Sequence, residues 1–433
     1  MNIKELYGEF LRSEGITTDS RGRVDGKIFF ALRGENYDGH RFVGDSLCAG
    51  CSLAVIDDGS HAVKGKTMLV DNVLSTLQQL ALYHRNMFDI PVVAVTGSNG
   101  KTTTKELMRD VLQRKFRTLA TTGNLNNHIG VPLTLLELKR EHEIAVVEMG
   151  ANHTGEIDLL CRIARPGHGL ITNIGKAHLE GFGSLKGVLM AKSELYRYIK
   201  ETGGKAFVND DQAMLRELAS ELGLHSLHYG RREGCYVQGK MVTAPGGIEA
   251  EVTAGDPPFK YKVRSTLSGS YNFENILAAL CVGTYFGVSP EEAADAIAGY
   301  LPGNNRSQII KTRSNKLLLD AYNANPDSMM SALVNFRALP GENKSVILGD
   351  MLELGRYAEE EHSKIAGMLS DNDYREVILV GRIFAGISAP SGFIRFEDTC
   401  GLMEWLRKNP LRGRFILLKG SRGIELERCV PLL

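Results

Sequence analysis

The stretch from Ile90 to Leu112 constrains the fold of this chain more than any other. A short β-branched run, 90–96, leads into the glycine-rich segment Gly97-Ser-Asn-Gly-Lys-Thr102, and residues 105–112 then have helical spacing. The pattern predicts a strand, a tight turn and a helix. Glycines let backbone N–H groups turn inward, and a helix N-terminus carries partial positive charge. This turn is therefore typical of a phosphate-binding site.

The glycine-rich segment departs from the usual G-x-x-x-x-G-K-[ST] pattern, because Val95 occupies the position of the first glycine. The segment can still bind phosphate, since Lys101 can bridge the outer phosphates of a nucleoside triphosphate and the Thr102 hydroxyl can reach a Mg²⁺ ion. A plain glycine-rich turn capped by threonine is the alternative. The flanking strand and helix favour nucleotide binding, with predicted contacts from Gly97, Ser98, Asn99, Gly100, Lys101, Thr102 and Thr103.

Two further polar residues follow predicted strands. Glu148 ends the apolar run 144–149, and His178 comes shortly after the run 170–174. Mg²⁺ bound to phosphates usually has only one or two protein ligands, so further ligands are expected at neighbouring strand ends. In a parallel sheet both residues would lie at the carboxyl edge beside the phosphate loop. Taken singly, the first is typical of a helix cap and the second of a solvated loop, but their joint position predicts catalytic metal ligands.

Size and composition indicate a soluble multidomain protein. A chain of 433 residues is too long to form one compact core, which suggests two or three domains. The 51 basic and 51 acidic residues balance, so bulk charge favours neither nucleic-acid nor membrane binding. The N-terminal sequence lacks an apolar core of signal-peptide length, and no segment approaches the ~20 apolar residues of a membrane span. We therefore expect a cytoplasmic location.

The cysteines favour a reducing compartment. Seven are present and they are scattered along the chain, which fits buried thiols better than a disulfide framework. Cys48-Ala-Gly-Cys51 is a C-x-x-C pair. Because no second pair or histidine pair lies nearby in the sequence, ordinary packing is favoured over a zinc or redox role.

The order of predicted elements divides the chain into three α/β domains. Residues 1–88 combine short strands with a helix near 72–86. Residues 89–302 alternate strands and helices, which predicts a mainly parallel sheet with helices on both faces, and short extended runs at 225–268 predict a β-rich edge. After a break rich in Pro, Gly and Asn, residues 303–433 alternate again. The predicted strands of the central domain lie at 92–96, 144–149, 169–174 and 205–209, and its helices at 102–115, 155–164, 184–200 and 211–222.

Several segments, taken in order, resemble the ATP-dependent Mur ligases of peptidoglycan synthesis. They are Gly97–Thr103, Thr121-Thr-Gly-Asn-Leu-Asn-Asn127 with Gly130–Leu133, Glu148-Met-Gly150, Asn173-Ile-Gly-Lys-Ala-His178 and Ala191-Lys192. The segment Asp320-Ala-Tyr-Asn-Ala-Asn-Pro326-Asp-Ser-Met329 is similar to the C-terminal signature of the MurF type, and the D-N-P-R motif of the MurE type is absent from the sequence. The resemblance covers nearly the whole chain and is weakest over 225–265.

The resemblance implies roles that the spacing alone leaves undecided. Lys192 falls where the family has a lysine carbamylated by CO₂, whose anion helps to hold a second Mg²⁺ ion; from its sequence alone it would be a solvated lysine of a helix. Asn272 and Asn275 match the adenine-side helix, although Asn272 would also suit a helix cap. Arg306 and Asp320 match residues that reach the nucleotide from the third domain.

The resemblance also implies substrate contacts. Segments near residues 19–21, 26–29 and 38–40 are similar to the family's uridine-nucleotide domain, in which Ser20 and Arg21 would hold the uridine diphosphate. The remaining predicted contacts to the substrates lie in the shared motifs and at predicted turns, where turn formation is the alternative role. They are Thr121, Thr122, Asn126, Asn127, Asn323, Asn325, Lys419, Ser421 and Arg422.

The reaction implied by the resemblance joins D-alanyl-D-alanine to UDP-N-acetylmuramoyl-tripeptide through an acyl phosphate, with ATP and two Mg²⁺ ions. Lys101, with Mg²⁺ at Thr102 and Glu148, would neutralise the phosphates, and a second ion would lie near His178 and carbamylated Lys192. The third domain would close over the second about a hinge near 302–303. A monomer is the family default.

Two other functions stay open at this point. A folylpolyglutamate-type ligase would share the central and C-terminal architecture, although the N-terminal module at 19–21 argues against it. A nucleotide-gated binding protein would use the phosphate loop without ligation, although Glu148, His178 and Lys192 together argue for chemistry. The sequence leaves the third residue of the tripeptide undecided.

Overall fold

The computed structural model describes residues 3–244, 247–303, 305–370, 373–388 and 390–433. Two sequence features lie outside these ranges: the Pro-Gly pair at 245–246, within the predicted β-rich edge, and residue 304 of the predicted domain break.

The N-terminal region contains a parallel sheet with strand order β1-β2-β5-β6 and a small β3-β4 ladder. Helix α3 begins after Asn72, whose side chain accepts a hydrogen bond from Ser75 N, and it spans the predicted helix near 72–86. The strands are β1 (Ile16–Thr17), β2 (Ile28–Phe30), β3 (Arg33–Gly34), β4 (Tyr37–Asp38), β5 (Leu53–Ile56) and β6 (Thr67–Leu69). The helices are α1 (Ile3–Arg12), α2 (Val43–Cys48) and α3 (Val73–Arg85).

The central region forms one sheet with strand order β15-β14-β13-β12-β11-β10-β7-β9-β8. Its strands are β7 (Val92–Thr96), β8 (Thr118–Ala120), β9 (Ile144–Glu148), β10 (His168–Ile171), β11 (Lys205–Asn209), β12 (Ser226–Gly230), β13 (Val237–Ala244), β14 (Gly247–Ala254) and β15 (Phe259–Ser265). Its helices are α4 (Lys101–Leu112), α5 (Gly130–Leu136), α6 (Glu156–Ala164), α7 (Leu179–Phe182), α8 (Leu185–Glu201), α9 (Ala213–Leu222), α10 (Ser270–Tyr285) and α11 (Pro290–Gly299). The pairs from β8 to β13 are parallel, and β13, β14 and β15 form the predicted β-rich edge as an antiparallel ladder.

Strand β7 is buried on both faces, as a parallel strand between two helical layers requires. Val92 and Ala94 belong to the apolar cluster on one face, whereas Val93 and Val95 belong to the cluster on the other. Leucines of α3, α5 and α8 pack on the first face, and apolar residues of α4 and α10 pack on the second. The predicted arrangement of helices on both faces is therefore confirmed.

Strand β10 is shorter than its predicted range, 169–174, because it ends at Ile171. The residues that follow leave the sheet to support the glycine-rich loop. The Thr172 hydroxyl and the Asn173 side-chain amide both donate to Asn99 O, at 2.6 and 3.0 Å, and Asn99 N donates to Asn173 Oδ1 at 3.0 Å. Ile174, the last residue of the apolar run, is buried although it lies beyond the end of the strand.

The C-terminal region forms a third sheet with strand order β16-β17-β21-β18-β19-β20, parallel except for β16. The strands are β16 (Gln308–Lys311), β17 (Lys316–Asp320), β18 (Lys344–Gly349), β19 (Val377–Val380), β20 (Ile394–Phe396) and β21 (Phe415–Lys419). The helices are α12 (Pro326–Ala338), α13 (Ala358–Ser370), α14 (Arg382–Gly386) and α15 (Thr399–Lys408). Each of the three regions thus has its own sheet, as the sequence predicts.

The cysteines and the lengths of the helices complete the description of the fold. All seven cysteines are free thiols, and Cys51 is buried with Sγ donating to Val24 O at 3.3 Å while Cys48 is exposed. Among the described residues, the helices are too short or too polar to cross a bilayer. The C-x-x-C pair therefore has one packing residue and one surface residue.

Candidate active site

The glycine-rich loop joins β7 to α4, and two of its glycines are required by the backbone. Gly97 has φ +142° and Gly100 has φ +78°, the second in the left-handed region at the start of α4. A Cβ at Gly97 would collide with the Thr172 hydroxyl, and one at Gly100 would collide with the Asn275 side-chain amide. The loop can therefore hold its N–H groups at the helix N-terminus only with glycine at these positions.

Lys101 is the cation of the loop. It is half-buried at the first position of α4, and its Nζ donates to Gly97 O at 2.8 Å and to Ser98 O at 3.1 Å. Burial lowers the pKa of Lys101, although the nearby Glu148 carboxylate opposes this effect. The amine is thus held beside the N-terminus of α4, where it adds positive charge to that of the helix dipole.

Glu148 ends strand β9 beside this loop. Its Oε1 accepts hydrogen bonds from the Thr102 hydroxyl at 3.1 Å and from Asn126 Nδ2 at 2.8 Å. Its backbone N–H donates to the Thr121 hydroxyl at 3.0 Å. The second carboxylate oxygen, Oε2, is buried and has no hydrogen-bond partner. A buried anionic oxygen beside a threonine hydroxyl and a phosphate loop fits Mg²⁺, which prefers such hard oxygen ligands.

His178 lies at the start of the short helix α7 with φ +51°, an uncommon left-handed conformation. Its Nδ1 is buried and lies 2.7 Å from Oε2 of Glu353, a residue of the C-terminal region, but the two atoms are not aligned as in a regular hydrogen bond. This contact lowers the pKa of the Glu353 carboxyl. His178 and Glu148 both line the cleft beside the phosphate loop, as the strand order predicts.

Lys192 lies on α8 and is only 1% exposed. Its Nζ donates to Ala151 O at 3.2 Å and lies 5.2 Å from the centre of the Phe182 ring. Burial is the main cause that lowers the pKa of Lys192 to about 7. The expectation of a solvated lysine, drawn from the sequence alone, is wrong because the helical period places this position between buried Val188 and Leu195.

Asn272 and Asn275 lie side by side on α10, facing the phosphate loop. Asn275 Nδ2 donates to Asn272 Oδ1 at 3.1 Å, and the Thr104 hydroxyl donates to Asn275 Oδ1 at 3.0 Å. The alternative role of Asn272 as a helix cap is wrong. Gly269 is the cap residue, and Asn272 lies inside the first turn with Nδ2 donating back to Ser268 O at 2.8 Å.

Arg306 and Asp320 approach the loop from the C-terminal region. The Arg306 guanidinium lies 3.6 Å from the centre of the Tyr322 ring, and its Nε is buried without a hydrogen-bond partner. Asp320 Oδ2 accepts from Lys419 Nζ at 2.6 Å, and Asp320 Oδ1 accepts from Ser307 N at 3.1 Å. The pair places one cation and one anchored carboxylate opposite the phosphate loop.

The remaining C-terminal candidates have structural partners as well as access to the cleft. Asn325 caps α12 by accepting from Ser328 N at 2.9 Å, and its Nδ2 donates to Asn99 Oδ1 of the phosphate loop at 2.7 Å. The Ser421 hydroxyl accepts from Leu352 N at 2.9 Å. Asn323 accepts from the next backbone N–H, and Arg422 lies 5.5 Å from the Tyr322 ring centre.

A cleft of about 840 Å³ between the central and C-terminal regions brings most of these residues together. The predicted site residues that line it are Ser98, Asn99, Gly100, Lys101, Thr102, Thr103, Asn126, Asn127, Glu148, His178, Asn272, Asn275, Arg306, Asp320, Asn323, Asn325, Lys419, Ser421 and Arg422. The others do not line it: Gly97, Thr121, Thr122 and Lys192 belong to the central region, whereas Ser20 and Arg21 belong to the N-terminal region. Arg21 is exposed and pairs with Asp19.

Sequence reasoning missed several residues of the cleft. Glu353, Tyr322 and Asp327 line it, and Asp327 Oδ2 accepts from Lys176 N at 2.6 Å. Glu353 follows the parallel strand β18, so the argument that selected Glu148 at a strand end would also have selected it. Within the described part of the chain, no cluster of three His, Cys, Asp or Glu side chains has a metal-binding arrangement, so a metal site here would depend on Thr102, on phosphate oxygens or on a modified lysine.

Known families match both halves of this cleft. The model described as "Mur ligase middle domain" matches residues 95–283, and the model described as "Mur ligase, glutamate ligase domain" matches residues 305–422. A relative from Bacillus subtilis (strain 168), named UDP-N-acetylmuramoyl-tripeptide--D-alanyl-D-alanine ligase, is 36% identical over 96% of this chain and 92% of its own length. The chain belongs to the Mur ligase family, and within it to the MurF type. The family resemblance carried by the motifs is therefore confirmed.

Solved structures agree with the fold of this Mur ligase. A crystal structure of MurF from Acinetobacter baumannii is 30% identical, has a TM-score of 0.87, and covers 99% of this chain and 98% of its own. The MurF ligase from Thermotoga maritima, in complex with ADP, is 28% identical with a TM-score of 0.84, covering 98% of this chain and 97% of its own. The predicted fold class, a central phosphate-loop domain flanked by two smaller α/β domains, is confirmed by these neighbours.

Proposed function

We propose that this Mur ligase uses ATP to join D-alanyl-D-alanine to UDP-N-acetylmuramoyl-tripeptide, releasing ADP and phosphate. The observation that carries the proposal is one cleft in which the phosphate loop and the unpartnered Glu148 oxygen face Arg306 and Asp320 of the C-terminal region. The relatives at 30–36% identity whose printed names give this reaction support it, and the ADP complex of a MurF neighbour supports the use of ATP. Because the similarity to these ligases covers the whole chain, it favours UDP-N-acetylmuramoyl-tripeptide as the substrate and argues against the alternative of a folylpolyglutamate-type ligase.

ATP overcomes the low reactivity of a carboxylate toward an amine. The terminal carboxylate of the tripeptide attacks the γ-phosphorus, ADP leaves, and an acyl phosphate forms. The amine of the dipeptide, once deprotonated, then attacks the acyl carbon, and inorganic phosphate leaves as the amide forms. Since all groups in the first step are anionic, the chain must chiefly position them and neutralise their charge.

The residues of the phosphate loop supply most of that neutralisation. The N–H groups at the start of α4 and the Lys101 amine would bind the β and γ oxygens. Asn272 and Asn275 would flank the adenine, while Arg306 and Asp320 would reach the phosphates and the ribose side from the C-terminal region. Two observations support these assignments. Both asparagine side chains are buried, and the Arg306 guanidinium lies over the Tyr322 ring.

Three of the ligands proposed for two Mg²⁺ ions, Thr102, Glu148 and His178, are polar residues of the cleft, and the fourth is the buried Lys192. Thr102 and Glu148 would hold the first ion, and His178 with the carbamate of Lys192 would hold the second. Bound there, Mg²⁺ would supply positive charge that reduces the repulsion between the phosphates and the substrate carboxylate. The support is the buried, unpartnered Oε2 of Glu148 and its neighbour Thr102 at 3.1 Å.

The carbamate on Lys192 requires a neutral amine, because only the nitrogen lone pair can add to the carbon of CO₂ with loss of a proton. The pKa of Lys192, lowered to about 7 by burial, makes the neutral form abundant at physiological pH. The modification would replace a buried amine, neutral in the form that reacts, by a carbamate anion. It would thus convert an electrostatically unfavourable position into a metal ligand.

The amine substrate would bind against the C-terminal region. Asn323, Asn325, Lys419, Ser421 and Arg422 face the cleft at the end of β17 and β21, where a cationic guanidinium could receive the carboxylate of the dipeptide. Thr121, Thr122, Asn126 and Asn127 would contact the tripeptide substrate. Ser20 and Arg21 would hold its uridine diphosphate.

The three regions would work as a uridine-nucleotide domain at 1–88, an ATP-binding domain at 89–302 and an amine-binding domain at 303–433. Closure of the third domain over the second would exclude water, which otherwise hydrolyses the acyl phosphate. The enzyme would act as a monomer in the cytoplasm, where nucleotide-linked precursors and ATP are available.

Phosphate release from ATP tests the proposal, with Mg²⁺, UDP-N-acetylmuramoyl-tripeptide and D-alanyl-D-alanine omitted in turn and the product identified by mass spectrometry. Release that requires all components and yields the pentapeptide is expected. Binding of ATP without amide formation from any dipeptide would contradict the proposal and favour a nucleotide-gated binding protein.

A further inference from the structure

The contact between His178 and Glu353 crosses from the central region to the C-terminal region. The two residues are 2.7 Å apart at Nδ1 and Oε2, and a backbone hydrogen bond from Glu180 N to Glu353 O, 3.0 Å long, lies beside them. The strand ends that carry them come from different sheets. His178 follows β10, and Glu353 follows β18.

Glu353 has a backbone conformation that glutamate seldom adopts. Its φ is +66°, in the left-handed region, and the same is true of His178 at +51°. Such conformations cost free energy and persist only when the surrounding structure enforces them, often at functional sites. The glutamate side chain is 48% exposed, so burial of apolar atoms does not explain the conformation.

The loop that carries Glu353 is held by buried partners. Met351 N donates to Nε2 of the fully buried His362 at 2.9 Å, and Leu352 N donates to the Ser421 hydroxyl at 2.9 Å. Asp350 accepts from Phe384 N at 2.9 Å at the start of α14. These bonds hold the loop just before Glu353, so the carboxylate is presented to the central region by a rigid support.

The position of the carboxylate decides which imidazole nitrogen remains for a ligand. A neutral imidazole has one N–H and one lone pair, and the negative charge of a carboxylate 2.7 Å from Nδ1 favours the proton on that nitrogen even though the angle is not that of a regular hydrogen bond. With Nδ1 buried against Glu353, Nε2 is the nitrogen left to face a cation. Carboxylates placed in this way behind a ligating histidine fix its tautomer and raise its basicity.

We propose that Glu353 is a positioning residue through which the C-terminal domain completes the metal site of the central domain. Its carboxylate holds His178 in the orientation and tautomer that bind Mg²⁺. The metal site is then fully formed only when the two domains are in contact. This inference rests on the proposed function, since it deepens the role of His178 in that reaction.

Two substitutions distinguish the effect of the Glu353 carboxylate from the effect of its left-handed backbone conformation. Glu353→Gln keeps the size of the side chain and removes the charge, whereas Glu353→Gly removes the side chain at a φ that glycine adopts without strain. Glu404→Gln, an exposed glutamate on α15 of the same region, is the matched control. We expect thermal melting of Glu353→Gly to occur at or above the wild-type temperature, because the left-handed strain is relieved.

The deciding measurement is Mn²⁺ binding followed by electron paramagnetic resonance, in the full-length protein with a nonhydrolysable ATP analogue and UDP-N-acetylmuramoyl-tripeptide. Both Glu353 variants should bind Mn²⁺ about 10- to 100-fold more weakly than wild type, as when the partner of a ligating histidine is lost. The Mg²⁺ concentration needed for half-maximal ligation should rise in parallel. The Michaelis constant for D-alanyl-D-alanine at saturating Mg²⁺ should stay unchanged, and Glu404→Gln should match wild type.

Several outcomes would overturn the inference. Mn²⁺ binding of both variants equal to that of Glu404→Gln would remove Glu353 from the metal site. A raised Michaelis constant for the dipeptide with unchanged Mn²⁺ binding would make Glu353 a contact of the substrate ammonium instead. Failure of wild-type protein to form the amide at all would contradict the proposed function, and that result is distinct from any difference among the variants in metal binding.

Discussion

Lys192 illustrates how burial changes the chemistry of a single residue. An exposed lysine is cationic at neutral pH, whereas the 1% exposed amine of Lys192 has its pKa lowered to about 7. The side chain still reaches a polar atom, Ala151 O. Among the residues that the structure describes, no carboxylate pairs with this amine, an arrangement that is unfavourable for stability alone and supports a chemical role.

Lys192→Ala is expected to reduce ligation by at least about 100-fold, because the proposed metal ligand is lost, and a small carboxylate such as acetate should partly restore it by taking the place of the proposed carbamate. Steady-state rates with and without added carboxylate measure this. Lys186→Ala, at an exposed position of the same helix, is the control and should keep wild-type activity. Equal rates for Lys192→Ala and wild type would contradict the role of the carbamate.

His168 couples stability to pH at the start of β10. Burial against Phe207, Tyr285 and Phe286 lowers the pKa of His168 to about 4, below its usual value of 6.5. The unfolded chain therefore binds a proton before the folded protein does, and stability falls as the pH drops from 6.5 toward 4.

His168→Gln removes this effect. Between pH 6.5 and 4 its free energy of unfolding should therefore rise relative to that of the wild type by up to about 3 kcal/mol, and above pH 6.5 the difference in free energy of unfolding between the two proteins should be constant. Denaturant unfolding across this pH range gives the comparison. His225→Gln, the same substitution at an exposed position, is the control. If the free energy of unfolding of His168→Gln falls in acid as steeply as that of the wild type, other groups determine the loss of stability at low pH.

At the scale of elements, the helix after the phosphate loop is tied to the chain near the predicted hinge. The Tyr300 hydroxyl donates to Glu106 Oε2 at 2.7 Å, and both side chains are buried. The neighbouring Lys105, 1% exposed, donates from Nζ to Thr121 O at 2.8 Å. Helix α4 therefore connects the segment at Tyr300 with the segment that supports Glu148.

Tyr300→Phe should destabilise the protein by about 1–3 kcal/mol, because it leaves the buried Glu106 carboxylate without its donor. Chemical denaturation measures the change. Tyr374→Phe is the control, since the described structure gives its hydroxyl no hydrogen bond and the ring contact with Phe336 is kept. Equal losses of stability in the two variants would mean that the Tyr300 hydrogen bond contributes nothing specific.

The elements themselves were largely predictable from the sequence, because apolar residues at strand and helix periods determine which faces are buried. Glu148 and His178 were predictable for the same reason, since parallel strands end at one edge. The capping role, the alternative at Asn272, does not occur because the helix begins earlier, after Gly269, and Asn272 lies inside the first turn. Glu353 was missed although it follows a strand. Its distinguishing contact is with His178, which follows a strand of another sheet, and the sequence does not show that the two residues meet.

At the scale of the whole molecule, contacts between the central and C-terminal regions depend on residues far apart in the sequence. Lys176 Nζ and Glu361 Oε1 form an ion pair at 2.8 Å across 185 positions. Asn325 bonds to Asn99 across the same boundary. No local pattern marks either pair, so the predicted closure rested on family resemblance and on the need to exclude water.

The ion pair gives this closure a direct test. Glu361 is 7% exposed in its side chain and binds two lysines, Lys176 across the boundary and Lys364 within α13 at 3.1 Å. Lys176→Met and Lys364→Met therefore remove the same kind of partner from the same carboxylate. Only the first change removes a contact between domains.

In the presence of both substrates and a nonhydrolysable ATP analogue, we expect small-angle scattering to show a more open shape for Lys176→Met than for Lys364→Met. The ion pair is partly solvated and contributes about 1 kcal/mol or less, so the ligation rate should fall by no more than about fivefold. Added salt should reduce the difference between the two variants because it screens the pair. If wild-type profiles with and without ligands superimpose, closure about the segment near 302–303 does not occur; if the two variants coincide, the ion pair does not hold the domains together.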